Sequence, residues 1–217
     1  IQRSNGDVLL SASLINQLNN NLKPEAIDLL VNIDTLSIAK TLPNVRQIHT
    51  FSYKEKKENK FKQEKAIFKK IYRKYDLSIN LTSSDRSVIY ALLASKKSIS
   101  AVEKNNLKAW WKKILLKYHF TYDLNSHILI NNLKPLSLLG LNALNHQASP
   151  KLSQIASSTI QDKLRKLKIT KFIIFHPSAQ YNYKVYDDKL RDDLLCLLNT
   201  LNISIIISGG KNKIDLK

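Results

Sequence analysis

Four short segments hold residues whose types and spacing could do chemistry. Ser4-Asn5-Gly6-Asp7 joins a glycine, which permits a tight turn and close approach of a ligand, to a carboxylate at a helix start. The competing reading of Asp7 is a plain helix cap. In Asn80-Leu81-Thr82-Ser83-Ser84-Asp85-Arg86-Ser87, at the end of an apolar run, Arg86 near a helix start could hold a phosphate or carboxylate. The plainer alternative is a polar loop with Asp85 capping the next helix. The third segment, Phe175-His176-Pro177-Ser178-Ala179-Gln180 followed by Lys184 and Tyr186, sets a hydroxyl and an ammonium group across a loop long enough to wrap a diphosphate. Ser208-Gly209-Gly210 ends a further apolar run, where backbone can come close to a ligand or simply turn.

Other chemistries find little support. The Gly-x-Gly-x-x-Gly fingerprint is absent, which weakens a nicotinamide or flavin reading. Histidines 49, 119, 127, 146 and 176 show no metal-ligand spacing, and Cys196 has no neighbour for a zinc site. Asp187-Asp188 and Asp192-Asp193 read as a cap and a solvated helix face. No metal and no cofactor are expected, with lysines and helix starts offsetting phosphate charge instead.

These segments need strands and helices to position them, and the apolar spacing supplies both. Helical spacing from Val8 to Leu18 ends near Pro24, and strands are expected at 26–31, 45–51, 77–81 and 98–102, with helices at 36–42, 61–75 and 86–94 between them. Two more helices are expected at 110–118 and 126–141, the latter kinked or divided by Pro135. A polar stretch, 142–153, reads as a linker. The pattern then restarts with helix 157–167, strand 172–176, helix 187–201 and strand 203–208. Alternating strands and helices imply parallel, doubly wound sheets. The expected division is a first domain over 1–145 and the start of a second over 146–217. The strand feeding the Gly6 turn is expected to be clipped, and the second domain to continue past Lys217. No internal repeat appears.

A hydrophobic content of 43% over 217 residues allows a real core and excludes a disordered chain. No apolar run approaches the roughly 20 residues of a membrane span, so a soluble protein of a reducing compartment is expected. The net charge of +18 is uneven: Lys54 to Lys74 holds ten Lys or Arg against three Glu, and Lys104 to Lys117 holds five Lys and no acid. Such patches concentrate anionic partners, whether phosphorylated glycolipid, nucleic acid or membrane headgroups. Trp110 and Trp111 read chiefly as core, with any exposed part able to sit at headgroup level.

In this order the segments resemble glycosyltransferase family 9, the ADP-heptose-dependent heptosyltransferases of lipopolysaccharide core assembly. The resemblance rests on Gly6-Asp7-Val8-Leu9-Leu10, on Tyr75-Asp76-Leu77 leading into Asn80-Leu81-Thr82, and on the His176-Pro177 loop ending in Lys184. Asn80-Leu81-Thr82 and Trp110-Trp111-Lys112-Lys113 look most like the heptosyltransferase III branch. The resemblance implies a GT-B fold of two Rossmann-like domains and an inverting, metal-independent transfer of heptose from ADP-heptose to the inner core of a lipid-linked, anionic acceptor. It implies that Asp7 is the general base. Lys184 would neutralise the departing diphosphate with help from Ser178, Gly209 and Gly210, while Gly6, Asn80, Ser83 and Arg86 would meet the acceptor. It further implies a cytoplasmic enzyme peripheral to the inner membrane of a Gram-negative bacterium.

Two departures are Asn5 before the glycine, where an apolar or aromatic residue is common, and Tyr186 in place of Trp. The family's Asp-Ser/Thr-x-x-His segment would fall beyond Lys217, so the segment as given is expected not to turn over. Competing readings are a basic nucleic-acid-binding module, for which no recognised motif appears, and an inactive relic of the same fold.

Overall fold

A computed structural model describes residues 4–104, 106–142, 154–179 and 182–210. The chain divides into two compact units, Ile1–Leu152 and Ser153–Lys217. The expected division after residue 145, and nearly all of the expected linker, lies outside the described residues.

The first unit runs α1 (Asn5–Leu9), α2 (Ala12–Leu22), β1 (Asp28–Asn32), α3 (Leu36–Ala39), β2 (Gln47–Phe51), α4 (Tyr53–Ile71), β3 (Leu77–Asn80), α5 (Asp85–Ala94), β4 (Lys97–Val102), α6 (Trp110–Leu115), β5 (Tyr118–Thr121) and α7 (Ile128–Leu138). β1 pairs in parallel with β2, Leu30 opposite His49. β4 pairs in parallel with β3 on one side and β5 on the other, Ile99 lying opposite both Ile79 and Tyr118. Parallel neighbours need crossover connections, and the intervening helices supply them.

The local chemistry explains the boundaries. α2 ends where Lys23 turns left-handed at φ 46°, one residue before Pro24, which biases its predecessor away from helix. α4 begins eight residues ahead of the expected start. Its cap is Ser52, whose side chain accepts from the Glu55 N–H, while the Gln63 amide takes the Ser52 N–H and carbonyl. The run from Lys54 to Lys60 has no apolar period to announce a helix, so the cap and the Gln63 clamp decide it. Tyr118–Thr121, expected partly as helix, is instead the edge strand β5. Only Phe120 of its four residues is buried, so no alternation marked it. Pro135 does not divide α7, which runs through it and stops at Leu138.

Four apolar clusters fill the first unit. Among the described residues the largest fully buried side chain is Phe51, packed with buried Ile67, Ile71, Tyr90 and Ala94. Burial on that scale stabilises by about 1.5–3 kcal/mol per large side chain. β4, paired on both edges, buries all of Ser98 to Val102. β1 and β3, paired on one edge each, leave their first three residues only half-buried. Their remaining edges and faces of α2 and α5 line a cavity of about 510 Å³.

The second unit contains α8 (Gln154–Lys166), β6 (Phe172–Phe175), α9 (Asp188–Asn199) and β7 (Ser204–Ile207), with β6 and β7 parallel. Asp187 caps α9 by accepting from the Lys189 and Leu190 N–H groups, and Asp188 and Asp192 pair with Arg191 on an exposed face, as the sequence suggested. None of the described helices is long and apolar enough to cross a membrane.

Candidate functional site

The start of α1 settles what Asp7 is not. Ser4 is the cap, its hydroxyl accepting from the Asp7 N–H at 3.1 Å. The Asp7 carboxylate is therefore not spent on capping. It stands half-buried in the first helical turn, where the helix dipole favours negative charge. Gly6 lies inside that turn, and a Cβ there would meet only the Ser4 hydroxyl, at 3.9 Å. The glycine thus sits within a helical turn, with room at its Cα for a side chain it does not carry.

The loop after β3 is held from beneath. Asn80 is buried, its amide NH2 donating to the Thr82 carbonyl and to the hydroxyls of Ser87 and Ser100 while its oxygen accepts from the Thr82 N–H and hydroxyl. These bonds use the polar capacity of the side chain, so Asn80 shapes the loop. Ser84, and not Asp85, caps α5, accepting from the Ser87 N–H. Asp85 instead pairs with Lys112 at 2.8 Å. Lys112, 1% exposed, also reaches Glu103 at 3.0 Å and donates to the Ser83 carbonyl. Arg86 pairs with Glu64 at 3.3 Å and lies 4.4 Å over the Phe51 ring. Glu64 accepts in turn from the Tyr90 hydroxyl, and burial with this bond pushes the Tyr90 phenol well above its ordinary value. Val8, next to Asp7, and Asn80 and Ser87 line the same cavity between β1 and β3.

Two side-chain clusters went unnoticed in the sequence. Lys112 is one. Ala109, Lys112 and Leu116, all buried, share one helical face, but a lysine between two apolar residues reads as solvated, so the spacing did not announce its inward direction. The other lies at the opposite strand ends, where Arg46 binds Asp28 through two nitrogens at 3.0 and 2.7 Å, the Tyr75 hydroxyl donates to Asp28 at 2.9 Å, and His49 Nε2 meets that hydroxyl at 3.0 Å. Arg46 holds the Asp28 carboxyl below the usual range against the opposing effect of burial. Burial, with the bond to Asp28, pushes the Tyr75 phenol up to about 12. Nothing in the spacing of these four residues hinted at the chain. Of the two tryptophans, Trp111 packs partly buried against Val88, Val102 and Leu116, whereas Trp110, expected chiefly as core, is 64% exposed.

In the second unit two of the sequence signals come together at the carboxyl ends of β6 and β7. His176 Nδ1 lies 2.9 Å from the Ser208 carbonyl and 3.1 Å from its hydroxyl, tying the His176–Lys184 loop to the Ser208-Gly209-Gly210 turn. Ser178 is half-buried there, and Lys184 is exposed with its ammonium 5.7 Å from the Tyr183 ring centre. Asp7 belongs to the first unit and Lys184 to the second. No cluster of three His, Cys, Asp or Glu able to hold a metal occurs among the described residues.

No family model matches the chain. It is 23% identical to a curated lipopolysaccharide heptosyltransferase 3 of Escherichia coli, over 99% of this chain and 64% of that protein. The heptosyltransferase 3 of strain K12 gives the same identity over 63% of its length. The chain thus spans less than two thirds of these relatives. Among solved structures, a glycosyl transferase family 9 protein from Veillonella parvula superposes with a TM-score of 0.81 at 15% identity, covering 97% of this chain and 61% of that one. The E. coli heptosyltransferase WaaC with ADP-2-deoxy-2-fluoro heptose follows with TM-score 0.71 at 15% identity, over 96% and 67%. The E. coli ADP-heptose heptosyltransferase II gives 0.68 at 15%, over 97% and 63%. At these identities the structures speak for the fold, which is α/β of GT-B type, the second Rossmann-like domain represented in part. Along nearly its whole length the chain is similar to the curated lipopolysaccharide heptosyltransferases, and it shares the fold of the glycosyl transferase family 9 structure.

Proposed function

We propose that the full-length protein transfers heptose from ADP-heptose to the inner core of lipopolysaccharide, inverting the anomeric centre without a metal. One observation carries the reading: Asp7 sits in the first turn of α1 with its capping duty taken by Ser4 and no side-chain partner among the described residues. A carboxylate so placed can accept the proton of an acceptor hydroxyl as it attacks the sugar. The bond to the departing diphosphate breaks as the new glycosidic bond forms, and the oxygen left on the diphosphate gains negative charge. Lys184, with Ser178 and the backbone at Gly209 and Gly210, is suited to neutralise that charge. The acceptor would meet Gly6, Ser83 and Arg86, the last through a guanidinium that also binds Glu64, on a loop that Asn80 shapes. A lipid-linked acceptor would be met at a membrane face.

The test is turnover of the full-length protein with ADP-heptose and a truncated lipopolysaccharide acceptor. Asp7→Asn should lower turnover by about 10² or more while leaving the fold intact. Near-normal turnover in that variant rejects Asp7 as the base.

A further inference from the structure

Helix α6 is built inside out. With its flanking cap residues, α6 buries Ala109, Lys112 and Leu116, while Trp110 and Ile114 stand outward at 64 and 70% exposure, with Leu115 at 59% and, in the 3-10 turn just before the helix, Leu107 at 91%. Lys104, Lys108, Lys113 and Lys117, all exposed, border this apolar strip, and no acidic residue lies between 104 and 118. The orientation is enforced. Rolling Trp110 and Ile114 inward would pull the Lys112 ammonium away from Asp85, Glu103 and the Ser83 carbonyl, giving up two ion pairs and a charge-assisted hydrogen bond.

We propose that the outer face of α6 with its flanking lysines is a docking surface for an anionic lipid bilayer. Aliphatic side chains at Leu107, Ile114 and Leu115 suit the region just beneath the headgroups. Trp110 suits the headgroup level, and the lysines suit anionic lipid phosphates above it. A second copy of this chain fits poorly, because four lysines would meet four lysines. Single-stranded nucleic acid also fits poorly, because three of the four exposed apolar side chains lack a ring on which a base could stack. On α9 of the second unit, exposed Leu190 and Leu197 make no comparable surface, because they share the helix with Asp188, Asp192 and Asp193, which repel anions. The inference stands apart from the sugar chemistry and agrees with it.

The experiment is co-sedimentation of the chain with extruded vesicles of phosphatidylcholine alone and of phosphatidylcholine mixed with phosphatidylglycerol. Binding is expected only to the phosphatidylglycerol vesicles, weakening with salt. Trp110→Ser combined with Ile114→Ser should lower partitioning about tenfold or more, and Lys108→Gln with Lys113→Gln should lower it and flatten the salt dependence. Phe61→Ser on α4, at a site 85% exposed, should leave it unchanged. Equal binding by the parent and the α6 variants overturns the proposal, as does preference for neutral vesicles. Binding of a short oligonucleotide that the lysine variants abolish, without vesicle binding, also overturns it and assigns the patch to nucleic acid. Loss of heptose transfer with retained vesicle binding would count against the sugar chemistry alone.

Discussion

The two units fold the same kind of β–α repeat to different degrees of closure. In the first, β4 is paired on both sides and Ile99 is fully buried; in the second, β6 and β7 pair only with each other among the described residues, none of which is buried. Ile174 and Ile207 are each 63% exposed although their strands read as strongly apolar. A parallel sheet hides its side chains only when both faces and both edges are covered. The two described strands with helices α8 and α9, the part of the second domain that this chain represents, do not provide that cover, so the same apolar residue is worth different amounts in the two places.

Paired substitutions test this difference most sharply. Ile99→Ala should cost about 2–5 kcal/mol in urea unfolding, because a well-packed site leaves a cavity. Ile174→Ala should change stability by about 0.5 kcal/mol or less, as exposed positions do. Equal losses would mean the second unit is closed in solution. The next effect concerns how the loops are anchored. In the first unit the Ser83–Arg86 loop rests on buried Lys112. Lys112→Met keeps the aliphatic stem but orphans the Ser83 carbonyl, an expected loss of about 1–2 kcal/mol, since Asp85 at 73% exposure can turn to water. An unchanged unfolding midpoint would show that the ammonium is not what holds the loop.

The smallest effect is a pH dependence carried by the first unit. Arg46 holds Asp28 below the ordinary carboxylate range, so that contribution is complete above the ordinary range and is lost as pH falls through the lowered value. Burial holds His49 below 6.5, so the folded state favours neutral imidazole, and protonation of the unfolded chain erodes stability once pH drops below the ordinary histidine value. Both act in the same direction. The urea midpoint should fall between about pH 7.5 and about pH 5.5, and His49→Asn should remove most of that fall. A midpoint flat across this window in the parent protein would break the linkage.

Most strands were legible because an apolar run between turn residues has few other uses, and β1, β3, β4, β6 and β7 all fall within a residue or two of expectation. β5 was not, because an edge strand with one buried residue carries no period. The first half of α4 was not, because its run of charges commits to helix only through Ser52 and Gln63. The loops that carry the candidate site were legible as positions at strand ends. Which of their side chains remain available was not: Asp85 looked like a cap and is an ion-pair partner, while Asp7 looked like a cap and is relieved of that duty by Ser4.

Composition and spacing by themselves settled the α/β class, the order of most elements and the placing of polar segments at strand ends, since those follow from local periodicity and turn chemistry. Tertiary structure alone decided that Lys112 points inward and Trp110 outward. The orientation of α6 depends on where Asp85, Glu103 and the Ser83 carbonyl lie in space. A buried ammonium is tolerable only where such partners converge from distant parts of the chain, and no helical period records that convergence.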